Sequence, residues 1–125
     1  MNEPGSVVML VEGDIVVRHP LAEYLRGCGF TVLEAASGDE ARSLLQGCSV
    51  DVVLADMTTP GGGFALRQWI AERYPHVLVV LAGSLDKTAE QAGRMCNDGP
   101  ALAKPYEHRL VLDHIRQALA RRDRG

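Results

Sequence analysis

A short apolar run that ends in a carboxylate and then in chain breakers is the feature that most narrows what this sequence can fold into. Between Val50 and Gly63 it reads V-D-V-V-L-A-D-M-T-T-P-G-G-G. Val52, Val53, Leu54 and Ala55 are too few for a helix and rich in β-branched residues, the pattern of a strand buried on both faces of a parallel sheet. Asp56 stands where that strand stops. Pro60 and the three glycines behind it hold off an immediate helix, which places Asp56 at the carboxyl end of a central strand, where open α/β sheets put their ligand sites. Taken alone, a strand-end aspartate more commonly caps or turns its loop.

The remaining runs follow one rhythm. Val7-Val8-Met9-Leu10-Val11 is a second buried-strand pattern, and it too ends in acids, Glu12-Gly13-Asp14. From Val17 the spacing turns helical, with Leu21, Ala22, Leu25 and Cys28 on one stripe and Gly27 and Gly29 as the stop. Phe30–Ala35 reads as a strand, and Ser37 with Glu40 forms a capping box for a helix through Leu44 and Leu45. After the glycines, Phe64, Leu66, Trp69 and Ile70 mark a helix halted at Pro75, with Trp69 expected in the core. Val77–Leu81 is a fourth strand. Ser84 or Asp86 can cap a helix to about Cys96, the Asn97-Asp98-Gly99-Pro100 turn ends it, and Ala101-Leu102-Ala103 makes a weak fifth strand before Lys104-Pro105. Val111, Ile115, Ala118 and Leu119 belong to a last helix. Five strands alternating with five helices predict an α/β, doubly wound (βα)5 domain, one parallel sheet covered on both faces. In the flavodoxin-like order 2-1-3-4-5 the switch point falls between strands one and three, where Glu12 and Asp56 end.

The chain's 125 residues suffice for one domain over 1–125, core about 6–120, with no room for an output domain. A net charge of −3 argues against a nucleic-acid surface, and Arg121, Arg122 and Arg124 read as a solvated helix end. Cys28, Cys48 and Cys96 are odd in number and lack a C-x-x-C pair, so reduced, core-filling thiols in a cytoplasmic setting are expected. No apolar run reaches membrane-spanning length and Asn2–Ser6 does not open a signal peptide, so no membrane association is expected. His19, His76, His108 and His114 share no spacing suited to metal or catalysis.

Carboxylates converging at a switch point, with a lysine after the fifth strand, suit magnesium-assisted phosphoryl transfer, in which a carboxylate can itself become an acyl phosphate. Glu12 after strand one, Asp56-x-x-x-Pro60 after strand three and Lys104-Pro105 after strand five resemble the receiver domain of two-component response regulators across essentially the whole chain. The resemblance implies a non-enzymatic signalling module. It implies Asp56 as phosphoacceptor from a histidine kinase or phosphotransfer protein, Lys104 pairing with the phosphate, and Mg2+ held by Glu12, Asp56 and the Thr58 carbonyl. It also implies a downstream protein read through the face of helix four, strand five and helix five, with a homodimer as a further assembly.

Several working positions depart from that pattern. The second acid of the pair is Gly13, which weakens the expected Mg2+ site; Ala82 replaces the strand-four hydroxyl residue and Ala101 the aromatic switch residue. The Pro60–Phe64 loop is one residue short of the usual form, and its glycines suggest mobility. Asp14 lies two residues beyond Glu12 and Ser84 two beyond Ala82, each on the same side of an extended chain but roughly 6–7 Å further along. Asp14 is thus a candidate metal ligand and Ser84 rather a helix cap. The alternative is a pseudo-receiver, a phosphorylation-independent interaction module in which Asp56 and Lys104 form a structural ion pair. An enzyme or cofactor binder on the same winding ranks last, since no P-loop or G-x-G-x-x-G is present.

Overall fold

Val7–Val11 (β1) and Val52–Asp56 (β3) lie side by side in a parallel sheet, and their near-continuous apolar sequence follows from cover on both faces. The computed structural model describes residues 5–84, 102–104 and 107–124. Thr31–Ala35 (β2) flanks β1 and Leu78–Ser84 (β4) flanks β3, all in parallel; Leu102–Lys104 (β5) registers beyond β4. Ile15–Gly27 (α1), Gly38–Gly47 (α2) and Gly63–Arg73 (α3) connect the first strands, and a last helix spans His108–Arg124. The helix expected up to Cys96 lies outside the described residues.

The alternating side chains of the sheet divide the core in two. Val8, Leu10, Val52 and Leu54 pack with Leu21 and Leu25 of α1 and with Ile115 and Leu119 of the last helix. Met9, Val11, Val53 and Ala55 pack on the other face with Leu45 of α2 and with Leu66 and Ile70 of α3. This is the flavodoxin-like α/β winding expected from the sequence.

Some local expectations are corrected. β4 continues past Leu81 to Ser84, its added residues paired with β5, while the helix that Ser84 is expected to cap lies outside the described residues. α1 starts at Ile15, because the Asp14 carboxylate caps it, and it carries Pro20 within its length. Trp69 is not enclosed: it sits half-buried on the flank of α3, with the Arg73 and Arg42 guanidinium groups 5.0 and 5.6 Å from its ring. Phe64 is exposed rather than part of the apolar face, and so is Cys48, the C-cap of α2. Nor is Arg122 simply solvated, since its Nη1 lies 3.1 Å from Asp51 Oδ1.

Candidate functional site

Register builds the site. Val11 pairs with Ala55, so the next residues, Glu12 and Asp56, emerge at neighbouring strand ends. Both are buried, Glu12 at 5% exposure and Asp56 at 1%. On the other side Asp56 is level with Ala82 of β4, which in turn is level with Leu102 of β5. Lys104 therefore stands two residues past the level of Asp56, beside Ser84.

Two hydroxyls converge on one carboxylate oxygen. Thr58 Oγ1 and Thr59 Oγ1 both donate to Asp56 Oδ2, the latter at 3.0 Å, and Thr59 Oγ1 accepts the Gly13 N–H at 3.2 Å. Thr59 is 5% exposed, whereas Thr58 is exposed. A single buried hydroxyl thus ties the end of β1 to the carboxylate at the end of β3. Gly13 has the room for a side chain here: a Cβ would meet the Ala36 carbonyl at 3.5 Å and Thr59 Oγ1 at 4.0 Å, ordinary contacts.

The remaining acids face the start of α1. Glu12 Oε2 accepts the Asp14 N–H at 2.9 Å, and Asp14 Oδ1 accepts the Val16 N–H at 2.9 Å. Arg18 supports the same turn from below, donating through Nη1 to the Glu12 carbonyl and through Nε to Glu34. His19 and Arg26 also contact Glu34, each at 3.1 Å. Burial alone would raise the Glu34 pKa, but the hydrogen bonds from Arg18, His19 and Arg26 outweigh it and hold the carboxyl below its ordinary value.

The glycine-rich loop is anchored. Gly38 N–H donates to the Pro60 carbonyl at 2.8 Å, and Gly62 N–H to the Thr59 carbonyl at 2.8 Å. A Cβ on Gly38 would lie 1.8 Å from the Gly61 oxygen, so the loop and α2 approach backbone to backbone, and Gly61 adopts φ +73°. Close approach, more than mobility, accounts for these residues.

The structure brings Glu12, Asp56 and Thr58 together and adds Thr59, which sequence reasoning missed. The sequence signal was the second hydroxyl of the Thr58-Thr59 pair, directly before Pro60. Asp14 is the N-cap of α1, its Oδ1 accepting the Val16 N–H. Receiver pockets typically bind Mg2+, yet Asp14 faces α1, Gly13 has no donor side chain, and two hydroxyls occupy Asp56 Oδ2. Among the described residues no group of three His, Cys, Asp or Glu side chains could hold a metal. With Glu12 and Asp56 as the carboxylates at neighbouring strand ends, a Mg2+ here would have few protein ligands and would keep several waters.

A buried aspartate at the switch point of a parallel 2-1-3-4 winding, with an acidic neighbour, sets the chain among flavodoxin-like α/β domains. The profile of the response regulator receiver domain matches residues 8–116, and the chain belongs to that family. The regulatory protein VirG of Agrobacterium tumefaciens is 29% identical over 120 residues, covering 94% of this chain and 45% of that protein. A cyclic di-GMP phosphodiesterase of Thermotoga maritima is 31% identical over 119 residues, covering 92% of this chain and 31% of that protein. The chain thus spans less than half the length of these relatives. The crystal structure of a receiver domain protein from Methanospirillum hungatei superposes with a TM-score of 0.81 at 20% identity, over 96% of this chain and 98% of that one, a likeness of fold. Receiver domains are in general signalling modules rather than enzymes. No helix among the described residues is long and apolar enough to cross a membrane.

Proposed function

We propose that the chain is a phosphorylatable receiver, with Asp56 accepting a phosphoryl group from a histidine kinase or phosphotransfer protein. The observation that carries this reading is the burial of Asp56 to 1% exposure at the carboxyl end of a central strand, beside Glu12. A carboxylate oxygen forms the new O–P bond as the N–P bond of a phosphohistidine breaks and the departing imidazole nitrogen takes up a proton. Lys104 pairs with the transferred phosphate. The full five-fold βα repeat belongs to this reading, as do a cytoplasmic setting and a downstream protein met at the face containing β5 and the last helix. A single domain over 1–125 completes it, and a homodimer is compatible with it.

Gly13 and the buried Ala82 level with Asp56 support a second reading, a pseudo-receiver that works by binding alone. Intact-mass spectrometry after incubation with a small phosphodonor, and with a phosphorylated phosphotransfer protein, separates the two. The expected result is one phosphoryl adduct on the wild type and none on a folded Asp56→Asn variant. No adduct from either donor would leave the pseudo-receiver reading.

A further inference from the structure

The contacts of Thr59 are unusual for a loop threonine. Its hydroxyl is enclosed, it accepts a backbone N–H from the residue after Glu12, and it donates to the carboxylate at the end of the next strand. A hydroxyl has one hydrogen to give, so the donation to Asp56 Oδ2 commits it. A cation taking that oxygen would occupy the direction from which the hydroxyl approaches. The chain also has space for a side chain at Gly13 and carries none, so the end of β1 reaches Asp56 through Thr59.

We propose that Thr59 is a positioning residue for Asp56, its hydroxyl bridging the ends of β1 and β3 in place of a cation held between two acids, so that bridge and divalent cation compete for Asp56 Oδ2. Protein hydroxyls then hold Asp56 Oδ2 when no cation is bound to it. This inference goes beyond the acceptor reading and holds whether or not Asp56 is phosphorylated.

The test uses Mg2+ alone, titrated calorimetrically into the wild-type chain and into Thr59→Val and Thr59→Ser variants. Removing a hydrogen bond to a charged group is expected to tighten Mg2+ binding of Thr59→Val about tenfold. Thr59→Ser, which restores the hydroxyl, is expected to bind as the wild type does. A Thr59→Val affinity equal to or weaker than the wild type's would overturn the proposal, including the case in which that variant is merely less stable. Should valine prevent folding, Thr59→Ala removes the same oxygen and is judged by the same result. On the wild type itself, saturating Mg2+ is expected to shift the Gly13 amide and Thr59 methyl resonances, and unmoved resonances at saturation would equally overturn it. None of these readouts depends on phosphorylation, so failure of the bridge and failure of the acceptor reading are separately visible.

Discussion

Asp51 and Asp56 stand at the two ends of β3 and meet opposite fates. Asp51 is a third exposed, and its two oxygens take the Val7 N–H at 2.8 Å and the Arg122 guanidinium at 3.1 Å. Its charge is matched by a cation and a strand-end amide, so it fastens β1 and the last helix to the amino end of β3. Asp56 is enclosed, and the contacts described on its Oδ2 come from neutral hydroxyls. Hydroxyls orient the carboxylate oxygen they donate to. Residue type does not separate the two aspartates; the neighbours brought by the fold do.

The two ends of the sheet also close differently, and substitution can expose the contrast. At the Asp56 end α2 meets the glycine-rich loop through bare backbone, so Gly38→Ala should force the chains apart and cost about 3 kcal/mol in chemical denaturation. A variant as stable as the wild type would mean that this contact is not tight. At the other end, Asp51→Ala should lose about 1–2 kcal/mol, the worth of two partly exposed hydrogen bonds. A loss matching that of Gly38→Ala would erase the distinction between the ends. The smallest effect is expected at Gly47, the other terminus of α2, beside an open groove of about 300 Å³ lined by Leu45, Val50, Tyr74 and Val77. A Cβ there meets nothing within 4 Å, so Gly47→Ala should raise the unfolding midpoint through a gain of about 0.5 kcal/mol. One helix would then carry two Gly→Ala substitutions of opposite sign.

The sequence disclosed what periodicity encodes. Continuous apolar runs in β1 and β3 revealed a two-faced sheet, and the strand-end acids located its switch point. The Ser37–Glu40 pair also announced α2 correctly: Ser37 Oγ accepts the Glu40 N–H, while Glu40 reaches back to the Ala36 N–H, one residue before the cap. What stayed hidden depends on contacts distant in sequence. Nothing near Arg122 points to Asp51, and nothing near Thr59 points to Gly13, because register and crossovers bring those pairs together. Trp69 was legible in part, since it packs against the core beside Leu66 and Ile70 as its helical spacing suggests, while the cover of its ring by Arg42 and Arg73 was not.

The strand order has a consequence in time. Val8 pairs with Val52, 44 residues further on (52 − 8), although β1 is made first. At roughly 5–20 residues per second of synthesis, the inner edge of β1 waits on the order of 2–9 s for its partner to emerge. Through that interval the Met9–Leu10–Val11 edge lacks β3, and for the first half β2 as well, so a segment that finishes buried spends its early life with an open edge.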